Sequence, residues 1–167
     1  MYDFIETFRS DLETYSPDRL KRIAKPGSWS LGQLMDHIVA VADEYLGHVA
    51  TCARTTEPQT SGKTEAGEDV FRRRAFPPIR IALPDTPEFT PSNDRSKEEL
   101  LAELDRIERE MAAWEPRLDA IDPEMKVRHG GFGWLNAREW FDMIGFHTRH
   151  HFRQKAELEA WTAPPGA

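Results

Sequence analysis

Apolar residues recur at intervals of three and four along four segments of the chain, and this period predicts four amphipathic helices. The first segment covers residues 2–15 and carries its apolar stripe on Phe4, Ile5, Phe8, Leu12 and Tyr15. Ser16 and Pro17 then supply an N-cap and a first-turn proline for a short second piece, PDRLKRIA. Helix 1 is therefore expected to break near residue 16.

Capping boxes mark the start of the next two helices. Ser30 and Gln33 open helix 2, residues 30–53, and a Ser-x-x-Glu box at residues 96–99 opens helix 3, residues 96–118. The predicted core stripes are Leu34, Ile38, Tyr45 and Cys52 in helix 2, and Leu100, Leu101, Leu104, Ile107, Met111 and Trp114 in helix 3.

The connection between helices 2 and 3 runs from Arg54 to Asn93 and is rich in proline and polar residues. These residues predict a long crossover without a helix, because proline removes a backbone donor and blocks the preceding helical turn. Only IRIAL, residues 79–83, is expected to lie extended. A connection of this length is typically functional or mobile.

The fourth helix follows a turn-rich segment, DPEMKVRHGGFGW. Asn136, with Glu139 at the N3 position, opens a helix over residues 137–161. Four amphipathic helices with one long connection between the second and the third predict an all-α fold, a four-helix bundle with a crossover. We expect one domain over residues 1–167, since this length suits a single core.

Composition restricts the partners. The net charge is -7, which does not provide the basic surface that phosphate binding requires, so nucleic acid is not an expected partner. Cys52 is the only cysteine, so no internal disulfide can form. The sequence shows no signal peptide pattern and no run of eighteen apolar residues, so we expect a cytoplasmic protein without a membrane span.

Three of the six histidines lie within residues 145–154, GFHTRHHFRQ. His147 and His151 fall on the apolar stripe of helix 4 with Trp140, Ile144, Leu158 and Trp161. Residues at i and i+4 lie one turn apart on one face, so these two imidazoles can bind a single ion. His150 lies farther from this stripe and is expected to be a neighbour of the site.

A third ligand has to come from another element, and His37 in helix 2 is the best candidate. Three histidines with one open position are typical of catalytic rather than structural zinc sites. Glu44, on the same line of helix 2, is the candidate general base or ligand-orienting residue. The alternative is that the histidines are ordinary hydrogen-bonded core residues or hold a structural ion.

Other chemistry-bearing residues have simpler interpretations. Thr148 follows His147 where zincin proteases have glutamate, which disfavours that peptidase chemistry. His48 and His129 are interpreted as partly exposed residues, and Cys52 as a small buried hydrophobe. The arginines at residues 72–74 are interpreted as a solvated loop, although an anionic substrate would also suit them.

Two stretches resemble the DinB-like proteins, also described as the bacillithiol transferase-like superfamily. WSLGQLMDHIV carries the weaker motif, and FGWLNAREWFDMIGFHTRHHFRQ carries the specific one. The resemblance implies a four-helix bundle that holds a divalent metal on three histidines, which here are His37, His147 and His151. Gln154 matches a glutamine that is frequent in the family.

The same resemblance implies a class of reaction. Members include metal-dependent S-transferases that use bacillithiol or mycothiol, maleylpyruvate isomerases, and proteins described as metal-dependent hydrolases; many are dimers. We therefore expect a divalent-metal enzyme that activates a thiol or water for a small-molecule substrate. Zn²⁺ is the first expectation for the ion, with Ni²⁺ or Mn²⁺ as alternatives, and a low-molecular-weight thiol and a homodimer are the expected partners.

Overall fold

The structure, a computed structural model, describes residues 2–77 and 90–163. These residues are mostly helical, as predicted, and no helix among them is long and apolar enough to cross a membrane. The helices are α1 (Asp3–Thr14), α2 (Pro17–Lys21), α3 (Leu31–Arg54), α4 (Glu65–Arg73), α5 (Lys97–Trp114), α6 (Ala137–His150) and α7 (Phe152–Thr162), with a 3-10 helix over Glu115–Ala120 and two strands, β1 (Lys126–His129) and β2 (Gly133–Asn136).

The described chain divides into two compact units. The first comprises residues 2–40, 90–108 and 151–163, and the second comprises residues 41–77 and 109–150. Most of the apolar stripes predicted from the sequence are buried, which confirms the helical period that identified them. They include Phe4, Ile5, Phe8, Leu12, Tyr15, Leu34, Ile38, Tyr45, Cys52, Leu100, Leu104, Ile107, Met111, Trp140, Ile144 and Leu158.

A buried lysine fixes α7 within the first unit. Lys155 is only 8% exposed, and its ammonium group pairs with Asp11 of α1 and, at 3.1 Å, with Glu159 of α7. The Tyr15 hydroxyl donates to the same Glu159 carboxylate at 2.5 Å. Because a buried ammonium group is costly without charged partners, this network strongly favours one position of the first turns of α7 against α1.

The three predicted capping boxes are present. Ser30 and Gln33 exchange backbone-to-side-chain hydrogen bonds at 3.0 Å each, and residues 96 and 99 do the same at 2.7 and 3.1 Å. Asn136 and Glu139 form the third box, with both bonds at 2.9 Å. Each box satisfies two backbone donors that the first helical turn leaves without partners. The helix starts were therefore predictable to within a residue.

The predicted crossover contains a helix, so its interpretation as a connection without one was wrong. Thr64 caps α4 by accepting a hydrogen bond from the Gly67 amide at 3.1 Å, and acidic residues of the first turn and basic residues of the last complement the helix dipole. The prolines at residues 58 and 77 flank this helix and do not interrupt it. IRIAL, residues 79–83, lies outside the described residues.

The turn-rich segment before α6 forms an antiparallel hairpin in which Lys126 pairs with Asn136 and His129 with Gly133. Its second strand also binds the chain ahead of α4. The Trp134 amide donates to the Gly62 carbonyl at 3.1 Å, and the Thr64 amide donates to the Phe132 carbonyl at 2.9 Å. These bonds fix the start of α4 against the hairpin.

The last helix is not continuous, contrary to the prediction of one helix over residues 137–161. It is interrupted at His151, which has φ -83° and ψ -5°. The Thr148 hydroxyl donates to the Ile144 carbonyl at 2.7 Å, a bond that competes with the helical ladder and bends helices. Trp161, placed in the core by the same prediction, is 36% exposed and lies under the Lys25 ammonium group at 3.6 Å from its ring centre.

We expect Gly133→Ala to lower the free energy of unfolding by about 2 kcal/mol or more. Gly133 has a φ of +86°, and an added Cβ would lie 2.7 Å from the Thr64 amide nitrogen and 2.8 Å from the Gly62 carbonyl oxygen. Gly130→Ala, in the same hairpin but with no atom within 4 Å of the added Cβ, is the matched control. Equal urea midpoints for the two variants would contradict the prediction.

Candidate metal centre

Two imidazoles meet within the first unit. His37 lies in the second turn of α3, after the helix start that Ser30 and Gln33 fix. His151 occupies the interruption that precedes α7. Their ring centres are 4.9 Å apart and their planes are nearly perpendicular, at 79°. This contact brings together two residues that are more than a hundred positions apart in the sequence.

The third imidazole comes from the last turn of α6, four residues ahead of His151. His147 is 8% exposed as a whole residue. Each of His37, His147 and His151 offers one nitrogen, and the three nitrogens all lie within 4.8 Å of one another. No other group of three or more potential ligands this close occurs within residues 2–77 and 90–163. The structure therefore groups the three histidines that the sequence analysis selected.

This donor set fits a divalent transition metal. An ion with metal–nitrogen bonds of 2.0–2.1 Å in tetrahedral geometry holds its ligand atoms roughly 3.4 Å apart, so three nitrogens within 4.8 Å need only small side-chain adjustments. Imidazole ligands suit zinc, nickel, copper and iron, whereas calcium and magnesium prefer oxygen. The chemistry of the ligands thus excludes neither Zn²⁺ nor Ni²⁺ and disfavours the hard cations.

The charge state of His37 is also suited to metal binding. Burial, together with the smaller effect of the nearby His151, lowers its pKa to about 4. A neutral imidazole has a lone pair to offer, whereas an imidazolium does not. At neutral pH His37 is therefore ready to bind an ion without first losing a proton.

Aromatic rings lie near two of the three histidines. The Trp29 ring lies 5.0 Å from that of His37. In the second unit, the rings of Tyr45 and Phe76 lie 6.1 and 6.0 Å from that of His147. Aromatic neighbours lower the local polarity, which strengthens electrostatic interactions with a bound ion. Tyr45 was predicted only as a core residue, and Phe76 had no periodic pattern that could have marked it.

The remaining candidate histidines lie elsewhere. His150 is outside the three-histidine group, and its ring lies 5.7 Å from that of Phe76. The rings of His48 and His129 both pack near Trp140, with centres 4.2 and 5.5 Å away. The Nδ1 atom of His129 accepts backbone hydrogen bonds within the hairpin turn, which gives this residue a structural role.

Glu44 and Cys52 were both considered for chemistry. The Glu44 side chain is 63% exposed and lies 3.6 Å from the Nε2 atom of His48, and it is not in the three-histidine group. Its assignment as a general base stays a prediction. Cys52 is buried, as expected, and burial raises the pKa of its thiol to about 11, which keeps the sulfur protonated at neutral pH.

Comparisons with known proteins identify a family and a relative for this chain. The family model of the DinB superfamily matches residues 4–154. The chain is also similar to the uncharacterized protein YuaE of Bacillus subtilis, with 24% identity over 159 residues that cover 93% of this chain and 91% of that protein. No solved structure matches the chain significantly.

The buried state of His37 predicts a pH dependence of stability in the metal-free protein. An unfolded chain binds a proton at His37 below about pH 6.5, but the folded chain does so only near pH 4. The free energy of unfolding should therefore fall as the pH is lowered from 6.5 to 4, and His37 should account for on the order of 2 kcal/mol of this fall. Above pH 6.5 the protonation of His37 should not affect the free energy of unfolding.

Urea unfolding in the presence of a chelator, at pH 7 and pH 4.5, measures this effect. His37→Gln is the control, because it keeps a polar side chain that does not titrate, and its stability should fall less over the same interval. An identical fall in both proteins would show that His37 does not contribute.

Proposed function

Because this chain belongs to the DinB superfamily, we propose that His37, His147 and His151 hold one divalent ion and that the protein is a metal-dependent enzyme. The observation that carries this proposal is the group of three imidazole nitrogens within 4.8 Å of one another. Three neutral protein ligands leave coordination positions for a small molecule, which is the pattern of catalytic metal sites. Zn²⁺ is our first choice, with Ni²⁺ or Mn²⁺ as alternatives.

The ion would supply Lewis acidity, which lowers the pKa of a thiol or a water molecule and so produces a nucleophile at neutral pH. The protein supplies everything else. Burial keeps His37 neutral, and the aromatic rings of Trp29, Tyr45 and Phe76 lie beside His37 and His147.

We favour a thiol as the nucleophile. Thiolate sulfur is a soft ligand that suits zinc, and the family resemblance implies S-transfer to a small electrophile. Activation of water, which would make the protein a hydrolase, is the alternative. We further propose that the co-substrate is a low-molecular-weight thiol and that the protein is a homodimer. The long helices are proposed to form a four-helix bundle.

Glu44 remains our candidate for a general base or an orienting residue. It lies two turns after His37 on α3, and its side chain, 63% exposed, lies 3.6 Å from the Nε2 atom of His48. An exposed carboxylate can accept a proton through a water molecule without a contact to the three-histidine group. This role requires Glu44 to affect turnover but not metal binding.

The first test is metal content. Protein purified without chelator and incubated with Zn²⁺, Ni²⁺ or Mn²⁺ should carry one ion per chain by elemental analysis. Each of His37→Ala, His147→Ala and His151→Ala should weaken binding by about 100-fold or more, since loss of a ligand exceeds the loss of an outer partner. His150→Ala is the matched control and should retain the ion. Wild-type protein that binds no ion under any of these conditions would refute the proposal.

The second test is activity. Metal-loaded protein should consume a thiol such as bacillithiol, mycothiol or cysteine together with monochlorobimane, and the metal-free protein should not. Glu44→Gln should lower kcat at unchanged metal content, with Asp43→Asn as the neighbouring control on α3. Release of acid from esters or amides, without thiol consumption, would indicate the hydrolase. A fully loaded protein inactive in both assays would support a non-catalytic metal-binding role.

A further inference from the structure

Gln154 contacts one of the three histidines directly. Its side-chain oxygen Oε1 lies 2.9 Å from the Nδ1 atom of His151, three residues earlier. An amide oxygen can only accept a hydrogen bond, so Nδ1 of His151 has to be the donor and has to carry a proton. A neutral imidazole carries one proton, and the lone pair therefore lies on Nε2.

The surrounding structure holds this pair in place. The Lys155 amide donates to the His151 carbonyl at 2.9 Å, which closes the first turn of α7 around Gln154. The Lys155 side chain is in turn fixed by Asp11 and Glu159. Gln154 is itself partly buried. The backbone turn and the ion pairs of Lys155 thus fix the start of the helix on which Gln154 lies, within the same unit.

We propose that Gln154 is a positioning residue that selects the tautomer of His151 with the proton on Nδ1, so that Nε2 is the nitrogen that binds the ion. This inference rests on the proposed metal site. Without an acceptor at Nδ1, the imidazole exchanges between two tautomers, and one of them presents a proton instead of a lone pair at Nε2. The hydrogen bond also limits rotation of the ring and raises the basicity of the ligand nitrogen.

If the acceptor oxygen of Gln154 selects the tautomer, substitutions at this residue should differ in effect according to whether they keep that oxygen. Gln154→Leu removes the acceptor at nearly constant size, so both the tautomer and the metal affinity should change. Gln154→Glu keeps an acceptor oxygen at the same distance along the side chain, so the tautomer and the affinity should be retained. A purely structural role would depend on side-chain size and would not separate these two variants in this way.

Two measurements test the inference. Nuclear magnetic resonance of metal-free, ¹⁵N-labelled protein reports which ring nitrogen of His151 carries the proton, and titration with Zn²⁺ against a competing chelator reports affinity. We expect the proton on Nδ1 in wild type and in Gln154→Glu. We expect Gln154→Leu to lose this preference and to bind Zn²⁺ about 10–100-fold more weakly. Gln59→Leu is the control, because Gln59 accepts a hydrogen bond only from its own loop among the described residues.

The outcomes distinguish this inference from the proposed function. A proton on Nε2 in the wild-type protein, or Zn²⁺ affinity in Gln154→Leu equal to that of wild type, would overturn the role of Gln154 and leave the metal site intact. A wild-type protein that binds no metal would overturn the proposed function. In that case, a proton on Nδ1 of His151 in wild type but not in Gln154→Leu would still support tautomer selection by Gln154. The same tautomer preference in both proteins would refute that selection.

Discussion

Three imidazole nitrogens within 4.8 Å of one another make it unfavourable for all three rings to be charged, and this electrostatic constraint decides what the histidine group can bind. Burial removes the solvent that would stabilise a charge on His37, and the neighbouring His151 opposes one as well. The same conditions that make a protonated cluster unfavourable make a neutral one a strong ligand set. The pH range of stability depends on this one arrangement, and so do the metal binding and the substrate chemistry that we propose.

The elements that carry the ligands are fixed by polar interactions at their ends. The capping box of Ser30 and Gln33 sets the start of α3, and this start places His37 in the second turn of the helix. Asn136 and Glu139 set the start of α6, and Glu139 also pairs with Lys63 ahead of α4. Hydrophobic burial holds the helices together, but these end contacts decide where each ligand lies along its helix.

The sequence predicted the helix starts and the three grouped histidines, because capping boxes and helical period are local signals that survive tertiary packing. It did not predict α4, since a proline-rich segment disfavours a helix and the prolines here lie on either side of α4. It also missed the interruption at His151, because the buried residues Ile144 and Leu158 keep one helical period across it. Phe76 could not be found, since its position near His147 depends on a connection without periodicity.

The pairing of residues 62–64 with the hairpin has a consequence for the tolerance of the chain to length changes. Closing a flexible loop costs conformational entropy that grows only with the logarithm of its length. The backbone bridge between Lys63 and Gly133 closes the loop that begins after Arg54. It also fixes the position of the residue that precedes the N-cap of α4. Insertions between Arg54 and Gly62 are therefore confined to a separate closed loop, where they change its entropy slightly and leave the register of α4 unaltered.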